Sequence, residues 1–474
     1  MKKRMLIQWI SALLVSGMVF SAGAMAGQAE AETETEQAAA AEETEQAAAA
    51  EVPEETGLPA EETESEYTLA QVTVLSRHSI RSPLSDKGSV LSEITPHEWF
   101  AWTSNPGELS LRGAMLETTM GQYFRLWLEK EGLFPENYIP EEGAVRIYAN
   151  GFQRTQATAR YFSAGLLPVA VVPVECHVDY NEPDGTFLPL IQFMEEDYAQ
   201  DVLEEIYERG GGEGLQGYTD SLDDALHLLV EVADLNESEA YVSGEYGNLL
   251  EDDSVMTLEE GQEPKISGAL KTACSVADAL VLQYYEEPDE KKAAFGHELT
   301  QEDWRTIGGI VSTYEKILFS APLLSVNVAH PMLEELYAEL KTPERRFTYL
   351  CGHDSTLISV LSALGAEEYY LPGAVEPATP TGTKLVFERW QNSSQESFYK
   401  VKLVCQSADQ LRSIQPLSLE IPPVIVPLSF EGIVEDENGM IREQDLTDLF
   451  ERKINELYEL EEFYTGNAAL EEAA

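Results

Sequence analysis

Arg77, His78 and Arg81 stand close together in the stretch "VTVLSRHSIRSPL". Positive charge is scarce in this chain, because 85 Asp and Glu residues outnumber 30 Lys and Arg residues and the formal net charge is -55. Guanidinium groups bind phosphate oxygens bidentately, and a histidine held beside them can attack phosphorus. We therefore expect this cluster to hold an anionic group, most simply one phosphoryl group.

Three further residues could complete such a site. Arg154 follows the segment "AVRIYAN", and His353 and Asp354 follow "RRFTYLCG". A third guanidinium and a second histidine could hold phosphoryl oxygens, and the aspartate could donate a proton to the leaving alcohol. The sequence contains no Cys-x5-Arg loop, Asp-x-Asp-x-Thr motif, Walker loop or His-Glu-x-x-His motif, so these rival chemistries are not indicated. The predicted chemistry is transfer of a phosphoryl group to His78.

Each of the three clusters lies where a predicted strand ends and a helix begins. The strands are expected at 69–76, 144–150 and 345–352, and the helices after the second and third are expected to end at Gly165 and Gly365. In open α/β sheets, ligands bind beyond the carboxyl ends of the strands, where helix N-termini present free N–H groups to anions. We therefore predict an α/β fold in which the clusters meet. The segments "TKLVFERW" and "FYKVKLVCQ" further predict an antiparallel strand pair.

The chain divides into segments of different composition. Residues 1–26 have a basic start, an apolar run and small residues near the end, which is typical of a signal peptide, although the run approaches the length of a retained anchor. Residues 27–66 are rich in Ala and Glu and contain no Lys or Arg, which predicts a disordered acidic spacer. The other predicted segments are an α/β catalytic core at 67–175 and 341–465, an inserted, mostly helical cap at 176–340 and a flexible tail at 466–474.

The charge and the cysteine content exclude several classes of protein. A chain this acidic repels nucleic acid and anionic membranes. The expected partner is therefore a small phosphate monoester, held by the local cluster of positive charge. We expect an exported protein, periplasmic or extracellular, with no membrane span after signal cleavage and with an anchor if the signal is retained. The cysteines lack the CxxC spacing of a zinc site, and their disulfide pairing stays open, as does the oligomeric state. They are Cys176, Cys274, Cys351 and Cys405.

The motifs also resemble those of a known family. "RHSIRSP" resembles the Arg-His-Gly-x-Arg-x-Pro signature of the histidine acid phosphatases, with Ser79 in place of the usual glycine. "GHDST" resembles their His-Asp motif, and "YANGFQRTQATARYF" resembles the segment that supplies their third arginine. The similarity runs from about residue 67 to about residue 449, and within the family it is strongest to the bacterial glucose-1-phosphatases, through stretches such as "QEPKISGALK" and "CQSADQLR".

This resemblance implies a fold and a role for each residue. The fold would be a phosphoglycerate-mutase-like mixed sheet flanked by helices, with an inserted, mostly helical cap. His78 would be the phosphate-accepting nucleophile and Asp354 the proton donor, with no metal or other cofactor required. Glu263 in "QEPKISG" matches a substrate-contacting glutamate of the glucose-1-phosphatases. The residues that would hold the phosphate are Arg77, Arg81, Arg154 and His353.

Three functions are open at this point. The first is a secreted acid phosphomonoesterase that hydrolyses sugar phosphates such as glucose-1-phosphate. The second is a phytase, although the lysine that follows the signature in phytases is displaced here to Lys87 and Glu263 would disfavour extra phosphate groups. The third is a non-catalytic phosphate-binding protein, which would most readily have lost His78 or Asp354. Both residues are present, so the phosphatase is favoured, with an acidic pH optimum because its aspartate must be protonated to act as an acid.

Overall fold

The computed structural model describes residues 67–84, 90–244 and 254–471. The predicted signal peptide and acidic spacer lie outside the described residues, as do positions 472–474. The strands are β1 (Tyr67–Arg77), β2 (Val145–Ala149), β3 (Val174–Glu175), β4 (Val255–Thr257), β5 (Lys265–Ser267), β6 (Phe347–Gly352), β7 (Lys384–Asn392), β8 (Ser397–Cys405), β9 (Val424–Pro427) and β10 (Ile441–Arg442).

Helices occupy most of the chain between these strands, together with a short 3-10 turn at Leu235–Glu237. They are α1 (Val90–Glu93), α2 (Leu111–Lys130), α3 (Gln153–Leu166), α4 (Glu196–Arg209), α5 (Leu215–Ser221), α6 (Asp223–Val232), α7 (Glu239–Ser243), α8 (Ala269–Glu286), α9 (Glu290–Ala293), α10 (Gln301–Phe319), α11 (Pro322–Leu340), α12 (Asp354–Ala363), α13 (Ala408–Ser413) and α14 (Glu443–Glu471).

One mixed sheet forms the centre of the molecule. Its strand order is β10-β8-β7-β1-β6-β2-β3, and β9 also pairs with β8. Strands β1, β6, β2 and β3 run parallel to one another, whereas β7 is antiparallel to β1 and to β8. The hairpin β4–β5 stands apart from this sheet. The mixed α/β class and the antiparallel pair are therefore confirmed.

Alternation along the strands gives the sheet two apolar faces. Val72 and Val74 of β1 pack in one cluster with residues of α2 and α3. Leu75 belongs to the other cluster, which includes residues of α8, α10, α11, α12 and α14. Because β1 is covered on both sides, nearly all of its residues are buried, including the polar Gln71 and Thr73. Helices from residues 176–340 share the second cluster, and the division into a core and a cap stays a prediction.

Of the two glycines predicted to end helices, one does so and the other does not. Gly365, with φ +71°, follows α12 and supplies the left-handed turn that ends a helix, as expected. Gly165 does not end its helix, because α3 continues to Leu166. A Cβ on Gly165 would collide with the carbonyl oxygen of Thr118, so the glycine permits close packing of α3 on α2. Glycine is expected both where a helix ends and where two helices pack closely. The sequence does not distinguish these two roles, so the prediction that Gly165 ends α3 was wrong.

Residues 466–471 of the predicted flexible tail are helical, because α14 continues to Glu471. Within the described ranges, no helix combines the length and apolar character needed to cross a membrane.

Candidate active site

The three predicted clusters meet at the carboxyl ends of three neighbouring strands. β6 lies between β1 and β2, and Arg77 at the end of β1 is in register with Gly352 at the end of β6. The N–H of His78 donates to the carbonyl oxygen of Gly352 at 3.0 Å, and the N–H of Asn150 donates to that of Cys351 at 3.1 Å. The chain thus leaves the three strands at one level, so the side chains that follow them surround a common space.

His78 is held as a neutral imidazole. It is 2 % exposed, and its Nδ1 lies 2.9 Å from the carbonyl oxygen of Ser79. Because a carbonyl oxygen only accepts hydrogen bonds, Nδ1 carries the proton and Nε2 keeps its lone pair. Burial lowers the pKa of His78 well below its ordinary value, and the positive charges of Arg154 and Arg81 lower it further. A neutral histidine with one free nitrogen is the form that nucleophilic attack requires.

Arg77 is fixed by protein carboxylates. Its Nη2 lies 2.8 Å from Oδ2 of Asp354, and its Nη1 lies 2.6 Å from Oε1 of Glu376. Nη1 also donates to the carbonyl oxygen of Thr379 at 2.5 Å. Burial alone would lower the pKa of Arg77, but the carboxylates of Asp354 and Glu376 raise it above its ordinary value. The guanidinium therefore stays charged and has a single defined orientation.

Arg81 is oriented by a helix from a distant part of the chain. Its Nη1 and Nη2 each lie 3.2 Å from a carboxylate oxygen of Asp278, which is on α8. This is a bidentate pair, the geometry that fixes the plane of a guanidinium. Since α8 falls in the predicted cap segment, that segment contributes to the orientation of a predicted phosphate-binding residue.

The hydrogen bonds of Asn150 determine which nitrogen of His353 carries the proton. Oδ1 of Asn150 accepts from the N–H of Gly151 at 2.6 Å and from the N–H of Asp184 at 2.9 Å, which fixes the direction of its amide. Its Nδ2 therefore donates to Nε2 of His353, at 2.8 Å. Burial, followed by the charge of Arg154, lowers the pKa of His353 well below its ordinary value. The neutral ring then carries its proton on Nδ1.

Arg154 points its guanidinium toward that proton. It lies in the first turn of α3, its guanidinium 4.7 Å from the ring centre of Phe152 and its Nη2 3.4 Å from Nδ1 of His353. Burial lowers the pKa of Arg154 to about 10, and the positive charge of Arg81 contributes to the shift. Two N–H donors thus face the same space, and an oxygen anion could accept from both.

Asp354 begins α12 and is held as a carboxylate. Its Oδ1 accepts from the N–H of Ser355 at 2.9 Å, in addition to the ion pair of Oδ2 with Arg77. Burial alone would raise the pKa of Asp354, but the positive charges around it, with Arg77 the strongest, together outweigh that effect and hold the pKa well below its usual range. The protonated form that a general acid needs is therefore not the form that Arg77 favours.

Glu263 lies at the edge of the same space. It precedes β5, is partly exposed, and interacts electrostatically with Asp354 and Arg154. Burial and the negative charge of Asp354 raise the pKa of Glu263 above its ordinary value. The structure thus brings all seven predicted site residues into one region.

The match to a protein-family model assigns the chain to a family. The model of the histidine phosphatase superfamily (branch 2) matches residues 68–209 and 275–406, which is more than half of the chain. The chain belongs to this superfamily.

Relatives of this histidine phosphatase carry two enzyme names. Glucose-1-phosphatase of Salmonella typhimurium (strain LT2) is 33% identical over 388 residues, covering 81% of this chain and 92% of the relative. Phytase AppA of Escherichia coli (strain K12) is 29% identical over 394 residues, covering 79% and 89%. The solved structure of the phytase from Citrobacter braakii has a TM-score of 0.74 at 27% identity and covers 82% of this chain and 98% of that chain. The predicted phosphatase class and fold are confirmed.

Four residues of this histidine phosphatase that contact or surround the predicted ones were not predicted from the sequence. The signal for Asn150 was available, because it is the first polar residue after β2. The other three come from segments remote in sequence and lie in no recognisable motif. They are Asp278, Glu315 and Glu376. Within the described residues, no group of three or more His, Cys, Asp or Glu side chains is arranged to hold a metal ion, and all four cysteines are free.

Proposed function

We propose that this histidine phosphatase is an acid phosphomonoesterase that transfers the phosphoryl group of a sugar monophosphate to His78 and then to water. The observation that carries the proposal is the neutral, buried His78, whose Nε2 keeps its lone pair because Nδ1 carries the proton that it donates to the carbonyl oxygen of Ser79. Three arginines lie near enough to lower the pKa of this histidine, and the same charges would neutralise a bound phosphoryl group. They are Arg77, Arg81 and Arg154.

In the first proposed step, Nε2 of His78 attacks phosphorus opposite the leaving oxygen. The N–P bond forms as the bond between phosphorus and the alcohol oxygen breaks, and Asp354 supplies the proton that the alcohol takes up. Nδ1–H of His353 and the guanidinium of Arg154 would donate to the equatorial oxygens, where negative charge is concentrated.

In the second proposed step, water attacks the phosphohistidine. Asp354, now a carboxylate, takes a proton from the water as its oxygen bonds to phosphorus. The bond to Nε2 of His78 breaks, inorganic phosphate is released, and the imidazole returns to its neutral form. This reversal of roles needs one carboxyl group held in a fixed position, and the ion pair of Asp354 with Arg77 supports that role.

The proposed substrate is a monophosphorylated sugar such as glucose-1-phosphate. Two features support it: the glucose-1-phosphatase name of the Salmonella typhimurium relative, and Glu263, whose carboxyl lies near Arg154 at the edge of the site. An acidic side chain there could accept hydrogen bonds from sugar hydroxyls and would repel additional phosphate groups.

Phytate hydrolysis is the second candidate function. The phytase names of the Escherichia coli relative and of the Citrobacter braakii structure favour it. Lys265 and Lys271 also lie near enough to Glu263 to lower its pKa, and so could attract a second phosphate group. A non-catalytic phosphate-binding role is less well supported, because His78 and Asp354, the residues that such a protein would most readily lose, are both present.

We also propose that the enzyme is exported to the periplasm or the extracellular space. The support is the basic and then apolar pattern of residues 1–26, which lie outside the described part of the chain.

The test is phosphate release from glucose-1-phosphate and from phytate between pH 4 and pH 7, with EDTA present. The wild type is compared with His78→Ala and with His227→Ala, a control whose imidazole is exposed on α6. We expect His78→Ala to lose activity by about 10³-fold or more, since it removes the nucleophile, and His227→Ala to be unchanged. The ratio of the rates on the two substrates distinguishes a glucose-1-phosphatase from a phytase. A wild type that binds phosphate and releases none would indicate the non-catalytic role.

A further inference from the structure

The ion pair of Arg77 and Asp354 leaves the leaving-group proton without a source. Oδ2 of Asp354 accepts from Nη2 of Arg77 at 2.8 Å, and Oδ1 accepts from the N–H of Ser355 at 2.9 Å. Both oxygens are acceptors, which is the hydrogen-bonding pattern of a carboxylate. An ionised Asp354 cannot donate the proton that the first step of the proposed reaction consumes.

Glu315 is a second buried carboxyl group beside Asp354. It lies on α10, is 8 % exposed, and its carboxyl group makes a side-chain hydrogen bond with that of Asp354. Two carboxylates are both acceptors, so this contact requires a proton on one of the two groups. One proton is therefore held between Glu315 and Asp354.

The surrounding groups place this proton on Glu315. Oε1 of Glu376 accepts from Arg77 at 2.6 Å, and its Oε2 accepts from the O–H of Tyr285 at 3.1 Å and from the N–H of Thr381 at 3.0 Å. Glu376 is therefore also bonded as a carboxylate, and Arg77 already faces two negative charges. A third negative charge in this buried cluster would cost much free energy, whereas a protonated Glu315 adds none.

Two more titratable groups face Glu315 from other elements. Tyr369 follows α12 and Cys274 lies on α8, and each interacts electrostatically with Glu315. Burial raises the pKa of both groups, so both are neutral in the acidic range. Neither supplies a positive charge that would favour an ionised Glu315.

We propose that Glu315 is a positioning residue that stores the proton which Asp354 delivers to the leaving oxygen, an inference that rests on the proposed function above. When a phosphoryl group takes up the charge of the arginines, the pull of Arg77 on Asp354 weakens and the shared proton moves from Glu315 to Asp354. As the bond between phosphorus and the alcohol oxygen breaks, that proton passes to the alcohol oxygen. In the second step the attacking water returns one proton to the pair, so the proton balance closes over the cycle.

The test uses two substrates whose leaving groups differ in their need for a proton. The alkoxide of glycerol 2-phosphate needs one, whereas p-nitrophenolate is a weak base that leaves without one. Glu315→Gln keeps the size of the side chain and removes the stored proton. Its matched control is Ser312→Ala, which changes a buried polar residue one turn earlier on α10. Glu315→Asp keeps a titratable carboxyl group.

We expect Glu315→Gln to lower kcat on glycerol 2-phosphate about 10- to 100-fold and kcat on p-nitrophenyl phosphate less than about threefold. The basic limb of the kcat profile on glycerol 2-phosphate should move to lower pH, because Asp354 alone beside Arg77 holds a proton less firmly. Glu315→Asp should recover part of the difference between the two substrates, and Ser312→Ala should behave as the wild type.

Equal losses on both substrates, or an unmoved basic limb, would overturn the inference while leaving the proposed function intact. A wild type inactive on both esters and on glucose-1-phosphate would instead refute the proposed function itself. If Glu315→Gln does not fold, the infrared difference spectrum between the wild type and Glu315→Asp decides: a protonated-carboxyl band at neutral pH that moves with this substitution supports the stored proton, and a band that does not move overturns it.

Discussion

The arginines on the two sides of the site differ in whether protein carboxylates neutralise their charge. On the closed side, defined by Arg77, Asp354 and Glu376, two carboxylates lie within 2.8 Å of the guanidinium and the pKa of Arg77 is raised. On the open side, defined by Arg154 and His353, burial and neighbouring positive charge lower the pKa of Arg154 to about 10. The two arginines share one space and differ in whether the protein or a ligand supplies the negative charge.

This difference indicates separate contributions to stability and to binding. The closed side is neutralised within the protein, so its ion pairs contribute to folding and to the orientation of Asp354. In the described part of the chain, the two donors of the open side are in no salt bridge, and an anion that pairs with them gains charge-assisted hydrogen bonds without breaking protein ion pairs. We therefore expect phosphate affinity to depend mainly on the open side, and the following variants test that division.

Removing the charge of the closed side should have the largest effect on stability. Arg77→Met leaves the buried carboxylates of Asp354 and Glu376 without their cation, which we expect to lower the free energy of unfolding by about 3–5 kcal/mol in urea titrations at neutral pH. Because the pKa of Asp354 is lowered in the folded protein, its contribution is present above the unfolded pKa of about 3.9 and is lost as the pH falls through the folded value. The deficit of the variant should therefore shrink in acid.

The control for this variant is Arg125→Met, which removes a partly exposed ion pair with Glu129 on α2. We expect it to cost less than about 1 kcal/mol. A similar stability loss in both variants would contradict the closed-side assignment.

Removing the charge of the open side should affect binding and pH dependence more than stability. Arg154→Met should raise KM for p-nitrophenyl phosphate by about 10- to 100-fold, the equivalent of one lost charge-assisted contact at 1.4–2.8 kcal/mol. It should also shift the acidic limb of kcat/KM to higher pH, because the charge of Arg154 helps to keep the pKa of His78 low and His78 must be neutral to attack. Steady-state kinetics over the acidic range measure both effects.

Arg160→Met is the matched control for this prediction. Arg160 lies on the same helix, α3, but is exposed, and it donates to Gln156 at 3.0 Å. An acidic limb that stays in place in Arg154→Met, or moves equally in Arg160→Met, would show that the open side does not control the nucleophile.

The smallest expected effect concerns selectivity at the edge of the open side. Glu263→Gln removes a negative charge near Arg154, so it should favour anions with more than one phosphate group. We expect the ratio of kcat/KM on phytate to that on glucose-1-phosphate to rise by about two- to fivefold. The exposed Glu298→Gln, in the segment between α9 and α10, is the comparison, since it removes the same charge from a position paired only with Lys291 in the described contacts. If the ratio of kcat/KM on the two substrates does not change, Glu263 does not contribute to substrate selectivity.

Much of the site could be predicted from sequence because its chemistry is local. Arg77 and His78 follow β1 directly, and His353 and Asp354 follow β6, so strand prediction and residue type together located them. Gly165 shows where local signals fail, because a helix-ending glycine and a helix-packing glycine look identical until the partner helix is known.

The sequence by itself determined the residue types, their order along the chain and the strands that carry them, since these depend on short-range patterns of polarity and on motifs. Only the tertiary structure decided that β6 lies between β1 and β2, which brings the three clusters together. It also decided that Glu315 and Glu376 surround the pair of Arg77 and Asp354. Protonation in a buried cluster depends on how many charges lie within a few ångströms, and chain positions that are remote in sequence do not specify that number.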